Sequence, residues 1–88
     1  LNNIKQDIFI YPNPSNETFS FIPFNGRENY SSEIFNLKIY NLQGDLLVEQ
    51  VAKSSEIISI NSLSAGCYLL SFTDTSGNVI TKQLIKSE

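Results

Sequence analysis

Cys67 is the only thiol in a chain of 88 residues, and no histidine accompanies it. A cysteine becomes a nucleophile when a neighbouring base or cation draws off its proton, and histidine is the usual base near neutral pH. Without that base, Cys67 is expected to be a small, partly buried apolar residue. As a lone cysteine it also has no partner for an internal disulfide, so packing must hold the fold. Asp74-x-Ser76-x-Asn78 has the spacing that opens a calcium loop but lacks the later bidentate glutamate, which leaves a plain turn. The nine acids are scattered, with no paired-carboxylate motif, no phosphate-cradling glycine loop and no metal cluster. The inventory is that of a non-enzyme, and no cofactor is expected.

Two further patterns involve polar chemistry without catalysis. Lys82 and Lys86 lie four apart, so on a strand they point the same way with Leu84 between them. Lysines so placed protect an edge strand from pairing with other chains, and they also offer a recognisable end. Tyr68 follows Leu63-Ser64-Ala65-Gly66-Cys67 where one strand gives way to the next. That is the setting of a tyrosine corner, in which the ring packs inward and the hydroxyl bonds to backbone a few residues upstream. Gly66 is expected to let the chain turn closely beneath the ring.

The elements that must position these residues are strands. No stretch carries apolar residues at helical spacing over a useful length. Short β-branched or aromatic runs instead alternate with Gly, Pro, Asn, Asp and Ser, which predicts a sandwich or barrel. Seven strands are predicted: Asp7–Tyr11, Thr18–Ile22, Ile34–Tyr40, Asp45–Val51, Glu56–Ile60, Cys67–Thr73 and Val79–Lys86. Period-two alternation places Phe19 and Phe21, then Phe35, Leu37 and Ile39, then Tyr68, Leu70 and Phe72 on inward faces. Pro12-Asn13-Pro14-Ser15 interrupts pairing because two of its four residues lack an N–H. Gly44 in Asn41-Leu42-Gln43-Gly44 and Gly77 in Asp74–Asn78 supply positive φ for hairpins. Pro23–Glu33 is predicted to be a polar exposed loop.

Bulk properties bound the rest. A single small domain fits this length. The net charge of −3, with no basic stripe, argues against nucleic acid. No apolar run approaches the ~20 residues of a membrane-spanning helix. There is no initiator methionine and no basic, then apolar, leader, so Leu1 is expected to be a cut inside a longer chain.

Four landmarks stand in order: Tyr11-Pro12-Asn13-Pro14, Leu37-Lys38-Ile39-Tyr40-Asn41-Leu42-Gln43-Gly44, Leu63-x-x-Gly66-x-Tyr68 and Lys82-x-x-x-Lys86. Each alone is weak. Together, from about Ile8 to Lys86, the chain resembles the type A C-terminal sorting domain of the type IX (Por) secretion system of Bacteroidetes bacteria. The resemblance departs from the family in two places. Ser15-Asn16-Glu17 supplies no glycine after the second proline, and Cys67 stands where an aliphatic residue is common.

The resemblance implies a seven-stranded, immunoglobulin-like antiparallel sandwich spanning residues 1–88, with its core over about 8–86. It further implies a cargo domain N-terminal to Leu1 that reaches the periplasm and is passed by outer-membrane secretion machinery to the cell surface or beyond. A sortase usually cuts upstream of the domain and joins the cargo to surface lipopolysaccharide. The residues that carry the resemblance, and hence the candidate signal, are Pro12, Asn13, Pro14, Gly44, Gly66, Tyr68, Lys82 and Lys86. The module is expected to be a monomer. Asn16-Glu17-Thr18 and Asn29-Tyr30-Ser31 fit a glycosylation pattern, which carries little weight in a bacterial protein. The competing readings are a carbohydrate-binding module, for which Tyr11, Tyr30 and Tyr40 are the tyrosines expected outside the core, and a passive spacer.

Overall fold

The computed structural model describes residues 7–24 and 34–88. Seven strands follow in order: β1 (Asp7–Tyr11), β2 (Thr18–Phe24), β3 (Ile34–Tyr40), β4 (Leu46–Lys53), β5 (Ile58–Ser59), β6 (Gly66–Thr73) and β7 (Val79–Lys86). They form two antiparallel sheets, β1-β2-β5 and β4-β3-β6-β7. The expected seven-stranded sandwich is the observed one.

Alternation along each strand builds the core. Ile8 and Ile10 of β1, Phe19 and Phe21 of β2, and Ile58 of β5 face Phe35, Leu37 and Ile39 of β3, Tyr68, Leu70 and Phe72 of β6, and Leu84 of β7, all buried. Three rings join the sheets at the centre. Phe21 meets Phe72 at 4.8 Å between centroids and Phe35 edge-on at 5.7 Å, while Phe35 and Phe72 lie edge-to-face at 6.1 Å. Tilted and edge-to-face pairs of this kind add to the stabilisation that comes from burying the rings.

Six strand ends differ from expectation, one on β2, two each on β4 and β5, and one on β6, which starts at Gly66 and not Cys67. β2 continues through Pro23 and Phe24, with Pro23 opposite Ile8. At that point β2 is paired on one side only, since β5 reaches no further than Phe19, and a missing N–H is tolerated on an open side. The remainder of the predicted loop, residues 25–33 with Tyr30 among them, lies outside the described residues. β4 starts at Leu46 because Asp45 is held in the turn, where its N–H donates to Asn41 Oδ1 (2.9 Å) and its carbonyl accepts from the Asn41 N–H (3.0 Å). β4 then runs on to Lys53, beyond the predicted end at Val51. β5 is reduced to two residues because Glu56 turns back onto β4: its carboxylate accepts the Lys53 N–H (2.8 Å) and its own N–H donates to the Lys53 carbonyl (3.1 Å).

Candidate functional site

The first candidate residues sit where β1 leaves its sheet. Pro12 and Pro14 have no N–H to continue pairing, and both the Tyr11–Pro12 and Asn13–Pro14 peptide bonds are cis. The chain crosses instead to the outer edge of β7. There the Asn13 carboxamide donates through Nδ2 to the Gln83 carbonyl (3.0 Å) and accepts through Oδ1 from the Ile85 N–H (3.0 Å). Two residues on, the Ser15 N–H donates to the Ile85 carbonyl (2.9 Å) and the Ser15 carbonyl accepts from the Ser87 N–H (2.7 Å). Ser15 therefore forms a parallel bridge with Lys86. It is 1% exposed, its hydroxyl bonds to the Pro12 carbonyl, and its carbonyl also accepts from the Ser87 hydroxyl (3.3 Å).

On its other side, β7 is paired with β6, and the register places Lys86 opposite Gly66 and Leu84 opposite Tyr68. The tyrosine corner is formed as expected. The Tyr68 ring belongs to the core and its hydroxyl donates to the Ser64 carbonyl at 2.5 Å. Gly66 has a different role from the expected close approach. A side chain there would meet nothing within 4 Å, whereas its φ of +154° is one that L-residues rarely adopt. Conformation, not crowding, selects glycine at the corner.

Gly44, with φ +93°, occupies the Asn41–Asp45 hairpin. Tyr40 pairs with Leu69, so this hairpin emerges at the same end of the four-stranded sheet as Gly66 and Lys86. Pro12, Asn13, Pro14, Gly66, Tyr68 and Lys86 thus gather around the end of β7, with Gly44 two strands away. Lys82 is not part of that group. Its Nζ lies 3.1 Å from Asp7 Oδ1 at the start of β1, a partly exposed pair. Such surface ion pairs contribute about 0–1 kcal/mol. Lys86 Nζ instead reaches the carbonyl of its neighbour Ser87 at 3.4 Å.

Residues outside the candidate set also take part. Ser15 is the most buried member of the Pro12–Ser15 segment, and Asp7 holds Lys82. Phe9, between inward-facing Ile8 and Ile10, is 59% exposed and stacks on Tyr11 at 5.8 Å. Sequence reasoning did not single out Phe9, although period-two alternation around Ile8 and Ile10 is the signal that would have placed it outside. Cys67 is half-buried on the outer face opposite Ile85, in line with its small apolar role. In the β6–β7 loop the Asp74 carboxylate is occupied by the turn itself, accepting from the N–H groups of Ser76 and Asn78 (both 2.9 Å) and from the Asn78 amide (3.2 Å). Partial desolvation pushes the Asp74 carboxyl up, but the Asn78, Ser76 and Gly77 donors together hold it below its ordinary value.

A family model described as the secretion system C-terminal sorting domain matches residues 9–87. A comparison with curated proteins finds no match.

Proposed function

The chain belongs to the family of secretion system C-terminal sorting domains, and on that premise we propose where on this module the signal lies and what is done with it. The domain is non-catalytic and serves type IX secretion, marking its protein for passage across the outer membrane to the cell surface or beyond. Our reading is that residues 1–88 form one module at the end of a longer secreted protein, with the cargo N-terminal to Leu1. The outer-membrane machinery reads the module, and a sortase then cuts upstream and attaches the cargo to the surface.

The signal, in this reading, is the end of the sandwich where the Pro12-Asn13-Pro14 turn meets the last strand, with Gly66 and Tyr68 holding the corner beside it. One observation carries the reading: the parallel bridge from Ser15 to Lys86 joins motifs some seventy residues apart in sequence into one surface. Within that surface Lys86 is the basic group beside the turn, whereas Lys82 is turned to Asp7.

A reporter directed to the periplasm and carrying this module at its C-terminus tests the assignment in a bacterium with the type IX system. Lys86→Gln is expected to lower the amount of reporter accessible at the cell surface, and Lys82→Gln to leave it near the parent level. Both changes should alter stability by no more than ~0.5–1 kcal/mol, as partly exposed side chains do. Parental export of folded Lys86→Gln would remove the lysine from the signal and leave it edge protection alone.

A further inference from the structure

We propose that Asn13 is a positioning residue of this signal, standing in for a β-strand with a single side chain; the proposal rests on the sorting reading above. The outer edge of β7 would otherwise present unpaired backbone groups from Gln83 to Ser87, the kind of edge that invites pairing with other chains. A neighbouring strand would satisfy that edge with alternating donors and acceptors. The crossing segment has no N–H at Pro12 or Pro14 to offer. The Asn13 carboxamide replaces it, giving one donor to Gln83 and one acceptor to Ile85, and the Ser15 backbone continues the pattern to Ile85 and Ser87.

The chemistry is specific to a carboxamide at this length. Aspartate accepts but does not donate when ionised, an aliphatic side chain does neither, and glutamine is one methylene longer. Because the Asn13 and Ser15 contacts flank Lys86 on the edge, Asn13 sets where the proline turn sits relative to Lys86. It fixes the register between the two halves of the surface without needing to touch the machinery that reads it.

The experiment uses the intact module, free for amide exchange by NMR and fused to the periplasmic reporter for export. In Asn13→Leu the Ile85 amide is expected to exchange about tenfold faster or more, the protection of roughly one hydrogen bond. The Leu84 amide, on the β6 side of the strand, should stay at the parent rate, and export should fall. The isosteric Asn13→Asp should keep Ile85 protected, lose the bond to Gln83, and be exported at a level between the other two. Unchanged Ile85 exchange in Asn13→Leu would overturn the strand-substitute role. Faster Ile85 exchange with parental export would show that the contact is architectural and does not position the signal. If Leu84 also exchanges faster because the leucine variant unfolds, Asn13→Asp decides: parental export of that variant overturns the requirement for a carboxamide. Failure of the parent module to export its reporter would instead count against the sorting reading, since the exchange measurement does not depend on export.

Discussion

Tyr68 shows how much one side chain does in a domain this small. Its ring fills the core while its hydroxyl closes the corner on Ser64, so two different losses can be separated by mutation. Tyr68→Phe removes the hydrogen bond alone and is expected to cost about 1 kcal/mol. Tyr68→Ala also leaves a cavity and is expected to cost about 3 kcal/mol or more. Denaturant melts of both variants check the pair, and two midpoints equal to the parent's would place Tyr68 outside the core. This residue was fully legible in the sequence because all its determinants are local: an inward position on an alternating strand and a glycine two residues before it. Asn13 was not legible in the same way. Pro-Asn-Pro accounts for a turn by itself, and nothing nearby in sequence signals that the carboxamide is engaged with a strand some seventy residues later. The Lys82–Asp7 pair was hidden for the same reason, because it depends on how the two sheets meet.

At the scale of the element, the strands with strict alternation were predicted with their faces correct. β3 and β6 match because Phe35, Leu37 and Ile39, and then Tyr68, Leu70 and Phe72, leave no second way to bury the strand. The edges were less legible, since an edge is defined by what it lacks. β7 is covered by Asn13 and Ser15. β4 is interrupted by a register shift opposite Ile39 and Tyr40 at one end and closed by Glu56 on Lys53 at the other. β5 is too short to offer much. These are the devices by which sheets resist edge-to-edge association. Hairpins were easier, and the β6–β7 connection yields a test at this scale. A carboxyl held below its ordinary value stabilises the fold above the unfolded pKa of about 4 and loses that contribution as pH falls through the lower folded value. Asp74→Asn keeps an acceptor for the turn but no longer titrates. Denaturant midpoints measured from neutral pH down to about pH 2 should fall less steeply in the variant than in the parent below about pH 4. Identical acid limbs would mean that the Asp74 turn contributes nothing to acid sensitivity.

The sandwich is fastened at its centre by Phe21, Phe35 and Phe72 and at one end by the meeting of the Pro12–Ser15 segment with the last strand. The fold class follows from periodicity and turn chemistry, because a chain of alternating strands must bury one face of each sheet against another. Function does not follow from the sandwich, which hosts many unrelated roles. It came from the order and spacing of the landmark residues and from the family match over residues 9–87. What the structure adds is that most of these landmarks converge on one end, and the signal proposed above is accordingly a folded surface. Exposed Phe9 stacked on half-buried Tyr11 is the aromatic pair on the described surface that a carbohydrate-binding role would use. The most direct measurement is therefore the location of a periplasm-directed reporter carrying the intact module at its C-terminus, compared between a strain with the type IX system and one without it. Reporter is expected outside the outer membrane only in the first strain. A folded fusion that stays in the periplasm of both strains, while its module is retained on polysaccharide through Phe9 and Tyr11, would contradict the sorting role.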